Sequence, residues 1–202
     1  MKLKRFLLIF GALCLVCAAG LSVYNLTSSD RAGLRAEAVA EELMALMPPM
    51  EKTPAPTPTL PDGTDHPERE MPVVSLDNTK FIGYLEIPQL KLTLPVAASF
   101  SMNQLKSTPA LYTGSVYQDN MVIAAHNYNS HFGRLNQLKD GDEVRFICSD
   151  GTTYRYTVGW TEKIVPSDRE TMVTDNQWDL TLFTCTYNGQ QRFALRCVAA
   201  EG

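Results

Sequence analysis

From residue 79 onward the apolar residues of this chain fall in short runs, most of them bounded by Pro, Gly, Asn or Asp. Phe81-Ile82-Gly83-Tyr84-Leu85-Glu86-Ile87 stops at Pro88, and a second run over 90–95 stops at Pro95. Met121-Val122-Ile123-Ala124-Ala125 is apolar without alternation, the pattern of a strand buried on both faces. Residues 143–148 and 153–164 flank Asp150-Gly151, a hairpin signal. Residues 180–184 and 192–199 flank a Tyr187-Asn188-Gly189 turn. Only a helical turn over 103–106 and a short helix over 131–138 interrupt them. Such a pattern predicts a mostly β fold, a closed or nearly closed barrel. About 120 residues suffice for its single core.

Ahead of this domain the chain changes character three times. Lys2, Lys4 and Arg5 precede eighteen uncharged residues, 6–23, about the length that crosses a bilayer as a helix. The basic flank predicts a cytoplasmic N-terminus with the remainder outside. A cleaved signal peptide is the competing reading, since small residues occupy 18–20. The apolar run continues through Leu21 and Val23, which favours an uncleaved anchor. Ser28-Ser29-Asp30 can cap a separate juxtamembrane helix, with Leu34, Val39, Leu43 and Leu46 near one face. Residues 48–72 hold eight of the twelve prolines, too polar and too stiff to bury a core. The expected division is a basic tip and anchor over 1–27, a juxtamembrane helix over 28–47, a linker over 48–78 and a catalytic barrel over 79–202.

A net charge of −4 argues against a nucleic-acid binder that relies on general charge. Cys148, Cys185 and Cys197 are an odd number, so at least one thiol is unpaired unless a partner comes from elsewhere. Parity allows a Cys148–Cys197 bridge, but nothing else here is disulfide-dense. His131 follows His126 by five residues with no Cys or acidic partner at metal-site spacing, so no metal or other cofactor is expected. Asp140, Asp142 and Glu143 read as a solvated turn rather than a calcium site. Trp160 and Trp178 read as packing residues.

Three residues at strand ends carry the chemistry. Cys185 closes the run Thr181-Leu182-Phe183-Thr184, His126 follows 121–125, and Arg192 opens the last strand. A cysteine nucleophile needs a group that moves a proton and a fixed charge to hold an oxyanion. A guanidinium suits the second task because it stays protonated and offers several donors in one plane. Arg196 shares a strand face with Arg192 and is the alternative. Thr184, beside the nucleophile, is a candidate for a hydrogen bond to substrate or backbone.

The T-L-x-T-C box of 181–185, the Ala124-Ala125-His126-Asn127 segment and the later arginine, in that order, resemble the sortases, cell-surface cysteine transpeptidases of mainly Gram-positive bacteria. The resemblance covers roughly residues 79–200. It implies an eight-stranded barrel and Cys185 attack on the Thr carbonyl of an LPxTG-like C-terminal sorting signal. It further implies that His126 protonates the leaving amine, that Arg192 steadies the oxyanion, and that the thioacyl enzyme is resolved by an amine of lipid II or of a pilin lysine. The short Cys-to-Arg interval leaves little room for a lid. An L,D-transpeptidase would carry S-H-G-C, and a papain-like hydrolase would place Cys before His; neither pattern is present. A membrane-anchored adhesin is the non-enzymatic alternative, and it would not need Cys185.

Overall fold

A computed structural model describes residues 2–48, 69–168, 178–186 and 189–200. The chain opens with α1 (Lys2–Leu46) and continues as nine strands: β1 (Val74–Leu76), β2 (Thr79–Ile87), β3 (Leu92–Ala97), β4 (Ala110–Thr113), β5 (Met121–Ala124), β6 (Glu143–Cys148), β7 (Thr153–Ile164), β8 (Leu180–Cys185) and β9 (Arg192–Ala199). Hydrogen bonding runs β2-β3-β4-β5-β8-β9-β7-β6, and a second β2 pairing, to β6, closes eight strands into a barrel. Closure removes the exposed sheet edges that an open sheet would leave.

The ninth strand, β1, hairpins onto β2 through Asp77 and Asn78, both at positive φ, as a tight hairpin turn requires. It lies inside the segment expected to be linker. The sequence reading also passed over β4, whose four residues alternate too briefly to stand out. The helix expected over 131–138 is a single 3₁₀ turn, Leu135–Gln137. The Tyr187-Asn188 part of the last turn and residues 49–68 of the linker lie outside the described residues.

Two apolar clusters sandwich the barrel wall. Leu85, Ile123, Phe146, Leu182 and Leu195 fill the interior, while Phe81, Val122, Ala124, Phe183 and Ala194 pack on the outside. That is why β5 is apolar throughout: all four of its residues are buried. Gly83, at a bulge of β2 against β3, lets β2 press against β6 on its other side, because a Cβ there would meet the Ile147 carbonyl oxygen at 2.0 Å.

α1 is one unbroken helix, with no separate cap at Ser28–Asp30. The hydroxyls nearby serve other ends: Ser22 and Thr27 donate back to carbonyls one turn earlier, and Ser29 is buried against the barrel. The two halves of the helix differ. Its first half exposes Phe6, Leu7, Leu8, Ile9, Phe10, Leu13, Leu15 and Val16 on all sides and is long and apolar enough to cross a membrane. Its second half buries Ser29, Ala32, Ala36, Ala40 and Leu43, and Met47 just past its end continues this single stripe at helical spacing, mostly small at its start. Small residues let the backbones approach closely, and a Cβ on Gly33 would lie 2.8 Å from that of Ser130.

Candidate active site

β5 and β8 run parallel with Ala124 beside Phe183, so their C-terminal ends emerge at the same end of the barrel. His126 follows the first of these ends and Cys185 closes the second. Continuing the register by two residues sets the imidazole and the thiol on neighbouring strands. The antiparallel β8–β9 ladder then places Arg192 directly opposite Cys185. Directly opposed residues point to the same face of a sheet, so thiol and guanidinium share the outer surface. All three line one cleft of about 300 Å³.

The backbone that delivers His126 is fastened to β8. The Ala125 N–H donates to the Phe183 carbonyl at 3.2 Å, and the Thr184 hydroxyl donates to the Ala125 carbonyl at 2.9 Å. Thr184 is buried, and its hydroxyl is spent on this bond. Of the two roles expected for it, the backbone bond is the one the structure contains.

The two arginines part company. Arg192 is half-buried at the cleft, with one guanidinium N–H reaching the Gln191 carbonyl at 3.4 Å. Arg196 is 1% exposed. Its Nε donates to Glu162 Oε1 at 2.7 Å and its Nη1 to Thr181 Oγ1 at 2.9 Å. The alternative arginine is therefore tied into the β7-β8-β9 wall. Thr181, the first residue of the box, is its partner, a role that sequence spacing does not reveal.

Burial, and secondarily Lys106, lowers the pKa of His126 from its ordinary value, so the imidazole is neutral near pH 7. Its ring lies 4.9 Å from that of Tyr128, which lies 5.6 Å from that of His131. His131 is fully buried and lies close to the backbone of Ala32 and of Ser107, but neither ring nitrogen makes a hydrogen bond of good geometry. Burial, with His126 adding to it, depresses its pKa to about 4.

The cleft is walled by Phe100, Met102, Leu105, Tyr112 and Phe183. Phe100 and Phe183 both meet Tyr112 edge-on, at 5.1 and 5.2 Å. As site residues these escaped the sequence reading, since three aromatics, a Met and a Leu scattered over 100–112 and at 183 carry no shared pattern. On the other side of Cys185 lies a second cleft of about 480 Å³, lined by Phe132 and Phe193 together with Asn127, Asn136, Lys163 and Gln191. Cys185 and Thr184 form the wall between the two.

Cys148 and Cys197 are buried free thiols in the barrel interior. Burial raises them to about 11 and about 12, so both are inert as nucleophiles at neutral pH. Glu143 pairs with Arg145, and the Asp142 carboxylate accepts the Lys139 N–H. Trp178 packs over Gly159, whereas Trp160 is exposed, against expectation.

Comparison with known proteins bears on the family and the fold. The family model described as Sortase domain matches residues 85–200, more than half of the chain. Sortase C1 from Streptococcus agalactiae superposes with a TM-score of 0.54 at 24% identity, over 63% of this chain and 72% of that one. Clostridium perfringens sortase C, solved with the C-terminal cell wall sorting motif, gives 0.52 at 24% identity over 60% and 71%. A sortase D5 transpeptidase from the same organism gives 0.53 at 19% identity over 60% and 79%. No curated protein sequence matches the chain.

Proposed function

Because the chain belongs to the sortase family of cysteine transpeptidases, which cut a sorting signal and transfer the protein that bears it, we propose that Cys185 is the nucleophile of that reaction, with His126 and Arg192 as its partners. The observation that carries this is the meeting of thiol, imidazole and guanidinium on one cleft, with Cys185 and Arg192 directly paired across β8 and β9. The expected substrate is an LPxTG-like signal. The aromatic wall of Phe100, Tyr112 and Phe183 takes its apolar residues and leaves the Thr carbonyl over the sulfur.

Neutral His126 accepts the thiol proton as sulfur attacks that carbonyl carbon. Arg192 holds the oxyanion in the tetrahedral intermediate. When the C–N bond breaks, His126 passes the proton to the leaving amine and a thioester to Cys185 remains. An acceptor amine then attacks the thioester, losing a proton to His126 as the thiol is restored. Thr184 acts as a positioning residue, through its bond to the Ala125 carbonyl. The acceptor belongs to lipid II or to a pilin lysine and enters from the second cleft beyond Cys185, so the two half-reactions use opposite faces of the sulfur.

The layout supports a single-pass protein of the cell membrane, with residues 1–27 as basic tip and anchor, the second half of α1 as juxtamembrane helix and the barrel outside the cytoplasm. Incubating the chain with a library of sorting peptides and amine acceptors, read by mass spectrometry, tests the chemistry. Expected are a thioester adduct on Cys185, a ligated product, and loss of both in Cys185→Ala. Hydrolysis without ligation under every acceptor would sink the transpeptidase reading.

A further inference from the structure

The helix that crosses the membrane and the helix that docks on the barrel are one rigid body, and this fixes which end of the barrel faces the lipid. The continuous apolar run ends at Val23, and the first buried docking residue, Ser29, comes six positions later. At 1.5 Å per residue, that is about 9 Å along the axis. The headgroup layer on each side of a bilayer is about 5–8 Å thick. Tilt of the helix only shortens the distance. What touches α1 at this height is the loop that carries the imidazole. The Ser130 hydroxyl donates to the Ser29 carbonyl at 2.7 Å, and Gly33 abuts Ser130. Farther along, α1 lies over β3 and reaches Leu76 and Phe81 through Leu43 and Met47. The axis of α1 thus runs from the Cys185 end of the barrel toward the other end.

Cations occur at this end, although Asp168 lies there too, in the segment after β7. Along α1, exposed Arg31 and Arg35 come first, beside Asp30, and Glu37, Glu41 and Glu42 lie farther from the anchor. Around the Cys185 end stand Lys106, near His126, and Lys163, which lines the second cleft. The turns leading into β5 and β8, at the opposite end, carry Asp119 and Asp179. Phe100, Met102 and Val165, large apolar side chains left exposed, also cluster near the Cys185 end. Cations interspersed with exposed apolar groups are what an anionic membrane surface binds.

We propose that the end of the barrel bearing Cys185, His126 and residues 127–134 is seated on the bilayer surface, with α1 as the strut that sets its height and orientation. The partner is the lipid headgroup layer itself. The reacting sulfur then works on carbonyls and amines presented close to that layer. The proposal rests on the anchor reading of α1 and not on the acyl-transfer chemistry.

The test uses the full chain in vesicles that contain anionic lipid, in a Cys14→Ser, Cys17→Ser, Cys185→Ala background. A fluorophore is placed at exposed position 129 (Asn129→Cys) or at exposed position 118 (Gln118→Cys), before β5 at the opposite end. Nitroxide-headgroup lipid should quench the probe at 129 several-fold more strongly than the probe at 118. A polar helical insert of seven residues after Leu26 lifts the barrel by about 10 Å with little rotation, and should bring quenching at 129 down to the level of 118. Equal quenching at the two positions, or a probe at 129 indifferent to the insert, overturns the seating. A chain that fails to float with the vesicles overturns the anchor and the seating together. Neither result touches the transpeptidase reading, because no step of the test requires catalysis.

Discussion

The two ends of the β8–β9 ladder carry nearly the same side chains in opposite surroundings. At one end Thr181 faces Arg196; four residues along, Cys185 faces Arg192. Each is a small hydroxyl or thiol beneath a guanidinium, on the same face of the same two strands. The difference lies in the neighbours. Over the first pair, β7 supplies Glu162, which accepts from Arg196 and leaves it 1% exposed. Beside the second pair the sheet ends, and two clefts open where Glu162 has no counterpart among the lining residues. A guanidinium already satisfied by a carboxylate and a hydroxyl has little left to offer a developing oxyanion. One left at the rim of a cleft is available for it.

Substitution at each end should separate activity from stability. Arg192→Ala should lower kcat/KM by about 10²–10³, the usual cost of losing an oxyanion donor, with little change in the unfolding midpoint. Arg196→Ala should do the reverse. Breaking the buried pair and stranding the Thr181 hydroxyl should cost about 3 kcal/mol in denaturant unfolding, with near-normal turnover per folded molecule. If Arg196→Ala abolished turnover in a fully folded protein, the contrast between the two ends would collapse.

The loop behind the open end has its own signature. His131 is held near pKa 4, below its unfolded value of 6.5, so the unfolded chain binds more protons between those limits. Stability should therefore be full above pH 6.5 and fall as pH drops toward 4, by up to about 3 kcal/mol from this group. Urea unfolding across that window should show the slope, and His131→Phe should flatten it. The lowered pKa of His126 has a kinetic counterpart: the acid limb of the pH–kcat/KM profile should lie below the ordinary imidazole range.

The smallest effect belongs to the clamp between the two strands. Thr184→Val keeps the shape but removes the donor to the Ala125 carbonyl. It should cost about 1–2 kcal/mol in stability. Its mark of a positioning role is a fall in kcat larger than any change in KM, with Thr184→Ser restoring most of the loss.

The strand pattern, the box at 181–185, the His126 segment and the apolar N-terminus were legible in the sequence because each is local: a period, a spacing, or an uninterrupted run without charge. They determined a membrane-length helix, a mostly β domain and a short roster of reactive side chains. Only the tertiary structure sets Arg192 and Arg196 apart, since period two puts both on one face and the carboxylate that binds Arg196 comes from β7. Folding also merged the anchor and the juxtamembrane helix, because burial of Ser29 and the alanine stripe against the barrel outweighs the capping tendency of Ser28-Ser29-Asp30. Both outcomes depend on contacts between residues far apart in the chain, and local propensity carries no information about those.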